Sequence, residues 1–324
     1  MRYSEHALNW AIDYLENHKS LTVQAHRKMV ETAYSVVYQI ATSKGIVYLK
    51  QTPEGLFSES ETLVYLNLEG RFDIPQVIAQ NNQLHCFIMT SAGDLSLRQL
   101  FDDKIHLDLL IQGVNGFTSI QRTLEHQTEQ LFKLGTPDWR LHRLPILYLQ
   151  LISNDKLLKD DGLSGDEIKQ LHQLYPKFTQ LCETLSTYHI PETINHCDFH
   201  ENNMLIEHKS GIVRIIDWGE TVVSHPFFSL AGFLWNMTYF YKLGESDDVF
   251  KTLQAQSVSA WLDMHHEPDL LKALGIATQL NGVFAALSYQ VMYQATQHLS
   301  KTVQQAHHGA IAGCLRSFMS GCDI

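Results

Sequence analysis

The sequence predicts an α+β protein of two lobes: a small antiparallel-sheet lobe at the N-terminus and a larger, mainly helical lobe after it. Three observations predict this. Before residue 92, β-branched runs alternate with short turns. After residue 93, apolar residues recur at helical spacing over long stretches. Inside that helical part, one interlude at residues 195–218 reads as strand and loop. A chain of 324 residues suits two units at roughly 150 residues each, and the pattern divides it into 1–92 and 93–324.

The elements follow in order. Residues 4–17 predict an amphipathic helix, with Leu8, Ile12 and Leu15 on one face and Ser4 as N-cap. The runs 36–40 and 46–49 flank Thr42-Ser43-Lys44-Gly45, which predicts a hairpin. Residues 58–68 predict a helix presenting Leu63, Val64 and Leu66. Pro75 ends that unit, and strands at 76–79 and 84–89 are joined by Gln80-Asn81-Asn82-Gln83. Helices are predicted at 94–101, 117–134 and 164–187, and Ser164 and Glu167 have the spacing of a capping box. In the interlude, apolar pieces at 204–206 and 213–216 surround His208-Lys209-Ser210-Gly211, a second hairpin. From Phe227 onward helices dominate; Trp235, Tyr239 and Phe240 read as a core stripe, and Trp261 joins His265 and His266 in the distal helices.

Composition excludes several functions. A net charge of −11, from 24 Lys and Arg against 35 Asp and Glu, with no basic stripe, argues against nucleic-acid binding. A 44% hydrophobic content argues against a disordered chain. The five Cys are scattered without a C-x-x-C, so neither a zinc ribbon nor a disulfide framework is expected, and reduced thiols fit a cytoplasmic protein. The N-terminus does not read as a signal peptide, and no uninterrupted apolar run reaches ~18 residues, so no membrane span is expected. The 18 His exceed the usual share.

The chemistry concentrates in His196-Cys197-Asp198-Phe199-His200-Glu201-Asn202-Asn203. Asp217 follows within Ile215-Ile216-Asp217-Trp218-Gly219. Kinase catalytic loops read H-R-D-x-x-x-x-N, followed later by D-F-G. His196, Asp198 and Asn203 occupy the first pattern, and Asp217 and Gly219 the second. Phosphoryl transfer is mostly positioning and charge neutralisation. It needs one carboxylate to orient the attacking hydroxyl and take its proton, which Asp198 would supply. It also needs oxygen ligands for magnesium, which Asn203 and Asp217 would supply. The hairpin between them returns the chain to its starting point and so brings those two together.

These motifs resemble the aminoglycoside phosphotransferase and choline kinase-like enzymes, small-molecule kinases of protein-kinase-like fold. The resemblance covers roughly residues 27–240; beyond it the chain matches only in being helical. It implies an ATP-dependent (or other NTP-dependent), Mg-assisted phosphotransferase acting on a hydroxyl of a small molecule. Lys50, ending its strand, stands where the phosphate-contacting lysine is expected, and Glu59 in the next helix would pair with it, with Glu61 as the alternative. The phosphate-covering segment Glu31-Thr32-Ala33-Tyr34-Ser35-Val36 lacks Gly, and Ser35 or Thr32 would substitute. The segment 87–93 resembles the adenine-binding hinge, which assigns backbone contacts to Thr90 and Ala92. The stretch Ser224-His225-Pro226-Phe227-Phe228-Ser229-Leu230-Ala231 looks like the family's G-D-P-x-x-D-L-A segment, with Ser229 in place of the Asp that braces the catalytic loop; that bracing is expected to be weakened.

Three further readings accompany this one. A nucleotide-binding pseudoenzyme on the same fold would account for the Gly-free loop and Ser229. His196 and His200, four apart, also have zinc-ligand spacing, although Pro191 and the flanking Asn residues argue against a helix there and no Glu lies between them as in H-E-x-x-H. His196 is otherwise read as a buried residue under the catalytic loop. An aromatic and acidic pocket for a cationic acceptor, drawing on Glu220, Asp263, Glu267 or Asp269, is the alternative to core aromatics and solvated acids, and the net charge agrees with it. The sequence names neither the acceptor nor the oligomeric state.

Overall fold

The computed structural model describes residues 2–70, 73–101, 104–297 and 305–322. Helix α1 (Arg2–Asn17) begins before Ser4, which is therefore a buried helical residue and not an N-cap. Its Ala7, Leu8, Ala11 and Leu15 pack on one face of an antiparallel sheet, against Tyr38, Ile40, Leu49 and Ile88. The sheet comprises β1 (Val23–Glu31), β2 (Val36–Thr42), β3 (Gly45–Gln51), β4 (Val77–Asn81) and β5 (Cys86–Thr90), in the order β1-β2-β3-β5-β4.

The β2–β3 hairpin closes as predicted, with Thr42 opposite Gly45. Strand β1 was not expected. It is an edge strand exposed along almost its whole length, so nothing forces apolar alternation on His26-Arg27-Lys28. Backbone pairing to β2 holds it. Helix α2 (Glu59–Glu69) buries Leu63 and Leu66, while Val64 faces outward, contrary to the predicted face.

After the sheet come β6 (Leu95–Ser96), α3 (Leu97–Phe101), α4 (Leu107–Leu124) and α5 (Thr128–Lys133). Next are α6 (Leu144–Ile152), α7 (Asp155–Asp160), α8 (Gly165–Gln173) and α9 (Tyr175–Ser186). The two longest predicted helices are each divided. One break falls between α4 and α5. The other falls at Leu174, where Pro176 occupies the first turn of α9 and lacks the N–H a continuous helix needs. The Ser164–Glu167 capping box is formed in both directions.

The interlude contains β7 (Thr193–His196), β8 (Met204–Glu207), β9 (Ile212–Ile215) and β10 (Thr221–Ser224). Strands β8 and β9 make the predicted hairpin, with β6 as a third strand on β8. Strand β7 pairs with β10, setting His196 opposite Thr221.

The chain ends with α10 (Phe227–Tyr241), α11 (Asp248–Val258), α12 (Glu267–Thr296) and α13 (Ala310–Cys322). Helix α12 is long and apolar enough to cross a membrane by length and composition, although polar residues such as Lys272, Gln279 and Asn281 interrupt its apolar sequence. Here it is the central packing helix, contacting α6, α9, α10, α11 and α13 through Leu270, Leu274, Leu280, Phe284 and Leu287. Trp261 is fully buried as expected, but Trp235, Tyr239 and Phe240 are about half exposed and are not core.

Candidate active site

The cleft between the sheet and the helical body has a volume of about 1030 Å³. Lys50, Glu59, Asp198, Asn203 and Asp217 all line it, as do Ser35, Thr90 and Ala92.

Strand β3 carries Lys50 to the cleft and α2 brings Glu59 against it. Lys50 Nζ lies 2.5 Å from Glu59 Oε2 and 2.5 Å from Asp217 Oδ1. Lys50 and Glu59 are both buried. Burial works to lower the Lys50 pKa, but Asp217 and Glu59 together outweigh it and the net shift is upward. Burial pushes Glu59 up, against the pull of Lys50. The ambiguity between Glu59 and Glu61 is thereby settled as geometry: Glu59 makes the ion pair.

The β8–β9 hairpin does what its spacing requires. Ile216 N donates to Asn203 O at 3.0 Å, which closes the hairpin and sets Asp217 beside Asn203. Asp217 has φ 67°, a left-handed backbone that costs a residue with a Cβ and recurs at functional sites. Its carboxylate is half exposed to the cleft.

Around Asp198 every hydrogen bond has a direction. Asn203 Nδ2 donates to Asp198 Oδ2 at 2.8 Å and to Asp198 O at 2.9 Å. His200 Nδ1 accepts from Asn202 N at 3.1 Å, which leaves Nε2–H to donate to Asp198 Oδ1 at 3.0 Å. Below, His196 Nδ1 accepts from Asp198 N at 3.2 Å, and Nε2 donates to Ile216 O at 2.9 Å. An Nδ1 that accepts belongs to a neutral ring, and burial lowers the His196 pKa in the same direction. For Asp198, burial alone would raise the pKa, but His200, His196 and Asn203 bring it down to about 2. The zinc reading fails on the same bonds. Both His196 nitrogens and His200 Nδ1 are committed, and no group of three His, Cys, Asp or Glu suited to a metal occurs among the described residues.

Ser229 corrects another expectation. Its Oγ accepts from His196 N at 3.0 Å and donates to Asn195 Oδ1 at 2.9 Å. The catalytic loop is therefore braced by a neutral relay through Asn195 in place of a charge.

The phosphate-loop candidates separate. Thr32 Oγ1 accepts from Tyr34 N at 3.1 Å and Ser35 N at 3.0 Å, so Thr32 folds the turn and uses amides that a Gly-rich loop would offer to phosphates. The Ser35 hydroxyl meets no partner among the described residues. At the hinge, Thr90 N and Oγ1 are both committed to Gln76, whereas the Ala92 N–H meets no acceptor among the described residues. Gly93 is required there: a Cβ would lie 2.7 Å from Ile206 O.

Sequence reasoning missed Arg98 on this cleft, and named Glu220 only as one of four acids for a cationic acceptor. Arg98 Nε bonds Glu201 Oε1 at 2.6 Å, and Tyr241 OH donates to the same oxygen at 3.0 Å. Glu220, reached by Cys197 N→Glu220 O at 2.9 Å, lines the cleft beside Asp198. Burial, with the charges of Asp198 and Asp217, pushes its carboxyl up to about 8. Asp263 instead pairs with Arg122, and Asp269 with Lys272; neither they nor Glu267 line the cleft.

A buried lysine–glutamate pair facing a left-handed aspartate, below a sheet and above a catalytic loop, defines a phosphotransferase of protein-kinase-like fold. Residues 32–265 match the phosphotransferase enzyme family APH, and the chain belongs to that family. Solved structures agree on the fold. A macrolide 2'-phosphotransferase type I superposes with TM-score 0.62 at 12% identity, over 94% of this chain and 96% of that one. An ethanolamine kinase of Plasmodium vivax gives 0.59 at 14%, over 97% and 85%. The GDP complex of an aminoglycoside 2'-phosphotransferase-IIIa gives 0.58 at 13%, over 98% and 99%. No curated protein matches the chain in sequence.

Proposed function

We propose that the chain transfers the terminal phosphoryl group of ATP, or another NTP, to a hydroxyl of a small molecule with magnesium. The observation that carries this is the convergence of Asp198, Asn203, Asp217 and the Lys50–Glu59 pair on one cleft. The acceptor oxygen attacks phosphorus, the bond to the nucleoside diphosphate breaks, and the hydroxyl proton passes to Asp198. A carboxylate held at a pKa of about 2 is a weak base, so its main work is to orient the hydroxyl, accepting the proton late. Lys50 positions phosphate oxygens, with Glu59 holding its Nζ in place. The adenine edge would meet the backbone of Thr90 and the N–H of Ala92, and the Ser35 hydroxyl would face the phosphates.

The donor set fits magnesium. Asn203 Oδ1 and Asp217 Oδ2 are oxygens with no protein partner among the described residues, suited to a hard cation that keeps waters and phosphate ligands. When bound, the ion supplies neutralisation of charge developing on the phosphates.

One observation favours the pseudoenzyme: Thr32 has taken two amides of the phosphate loop. Asp198→Asn separates the readings. On the phosphotransferase reading it keeps the Mg-dependent thermal shift with ATP and loses phosphate transfer by roughly 10²–10⁴-fold. Turnover equal to the parent's sinks the assignment of Asp198. Nucleotide binding by the parent without transfer to any hydroxyl compound favours the pseudoenzyme.

A further inference from the structure

Ser96, Arg98, Gln99 and Asn202 line the cleft where β6 and α3 meet the catalytic loop. We propose that this wall is an oxyanion subsite, which takes a carboxylate or phosphate borne by the hydroxyl compound that is to be phosphorylated. This rests on the phosphotransferase reading above and names a group on the acceptor for that site.

The orientation of two amides comes first. Ser96 N donates to Gln99 Oε1 at 3.1 Å, and Ser96 Oγ donates to Asn202 Oδ1 at 3.1 Å. Ser96 Oγ in turn accepts from Gln99 N at 3.3 Å. Buried Ser96 therefore fixes the oxygen of both amides. Gln99 Nε2 and Asn202 Nδ2 are left as donors, with no acceptor among the described residues. Both side chains are on exposed residues. Asn202 stands between Glu201 and Asn203 on the loop that carries Asp198, so a compound anchored here is held at the catalytic loop.

The second observation is independent of those amides. Arg98 Nε bonds Glu201 Oε1 at 2.6 Å, and the guanidinium carbon lies 4.5 Å from the centroid of the Phe240 ring. Tyr241 OH donates to the same carboxylate oxygen and lies against the guanidinium. Glu201 is fully buried, and its Oε2 has no hydrogen-bond partner among the described residues. A buried carboxylate with an idle oxygen costs stability. What it fixes is Arg98, bound along one edge and stacked on one face. The outer nitrogens meet no second carboxylate among the described residues, and the side chain is 36% exposed. A guanidinium fork held in this way matches the paired oxygens of a carboxylate or a phosphate. The other Lys or Arg on the cleft among the described residues, Lys50, is committed to Glu59 and Asp217. Asp94, on the same segment as Arg98, turns Oδ2 to His208 N. In a chain of net charge −11, this wall sets one guanidinium and two amide donors toward the cleft.

The test measures binding of four probes to the full chain by calorimetry, with Mg and a non-hydrolysable ATP analogue. The probes are gluconate with its neutral counterpart glucitol, and glucose 6-phosphate with neutral glucose. Phosphate transfer from ATP to each is assayed in parallel. At least one anion should bind roughly ten- to a hundredfold more tightly than its neutral counterpart, as for a charge-assisted hydrogen bond. Which pair shows the larger ratio tells carboxylate from phosphate. Removing Arg98 alone would strand the buried Glu201, so the first variant combines Arg98→Gln with Glu201→Gln and removes both charges at once. The second, Asn202→Asp, keeps the oxygen that Ser96 reaches and puts a negative charge in place of the donor. Each should abolish the preference for the anion and leave affinity for the ATP analogue unchanged. Neutral compounds binding as tightly as both anions, a preference unmoved by either variant, analogue affinity that falls together with the preference, or no binding by any probe would each overturn the proposal. Anions that bind in the expected order to a chain that transfers phosphate to none of the four would overturn the phosphotransferase reading and leave this one standing. Transfer to neutral and anionic compounds with equal KM would do the reverse.

Discussion

Three histidines near the catalytic loop do one job. His196, His200 and His225 each use Nδ1 to accept the backbone N–H two residues ahead, at Asp198, Asn202 and Phe227. This is the turn chemistry usually given to Asn or Asp, performed by a neutral ring, and it accounts for part of the histidine excess. Neutrality has a cost in acid. Burial pushes His225 down to about 3, and it pushes His196 down as well. In the unfolded chain such a ring takes a proton below about pH 6.5, and in the fold His225 does not until about pH 3. The unfolded state therefore binds more protons in that window, and stability falls as pH drops from about 6.5 toward 3. His225→Asn keeps an acceptor for Phe227 N and removes the titration. Its urea-unfolding free energy should lose less on acidification across that window than the parent's, by at most about 1.4 kcal/mol per pH unit. Parallel curves for the two proteins would refute it. At this scale, the convergence of Asp198, Asn203 and Asp217 on one cleft was legible because their spacing along the chain already encodes one loop and one hairpin. Glu220 was legible as one of four candidate acids for a cationic acceptor, and only the structure separates it from Asp263, Glu267 and Asp269. Its partner Ser288 is 68 positions away, as Arg98 is 103 from Glu201, and no local pattern encodes such distances.

Among the elements, the catalytic loop shows how a substitution is absorbed. A carboxylate at position 229 would brace the loop by charge. Ser229 reaches the same amide because Asn195, on β7, takes its hydroxyl proton and its N–H. Ser229→Ala leaves His196 N buried without that acceptor and leaves Asn195 Oδ1 with the residue-229 N–H alone. It should destabilise the fold by about 1–3 kcal/mol, read as a lower Tm and denaturation midpoint. An unchanged midpoint would show that the relay contributes nothing. Elements with a strong internal pattern were readable: the two hairpins, the capping box, and the helix bearing Glu59. Strand β1 was not, since an exposed edge strand needs no apolar face. The division of 164–187 was hidden because Pro176 suits the first turn of a helix as well as it ends one.

Over the whole molecule, the two lobes were legible from the change of periodicity near residue 92. What covers the cleft was not. The aromatic stripe on α10 has the spacing of a core face, and only the packing of α12 and α13 beside it shows that the stripe faces a groove. The packing also shows that the lobes are not separate hydrophobic bodies. Leu63, Leu66 and Phe87 of the sheet lobe belong to the same apolar cluster as Phe117, Phe199 and Leu280 of the helical body. The α1 side of the sheet forms its own cluster. Gly55, just before α2, lies so close to Ala295 near the end of α12 that a Cβ there would come within 3.1 Å. A molecule joined this way cannot melt by halves: calorimetry should give one endotherm, with calorimetric and van't Hoff enthalpies in agreement, and two resolved peaks would contradict it. For evolution the same joint is a constraint, because a lobe that shares its core with its neighbour cannot be exchanged for another without repacking both.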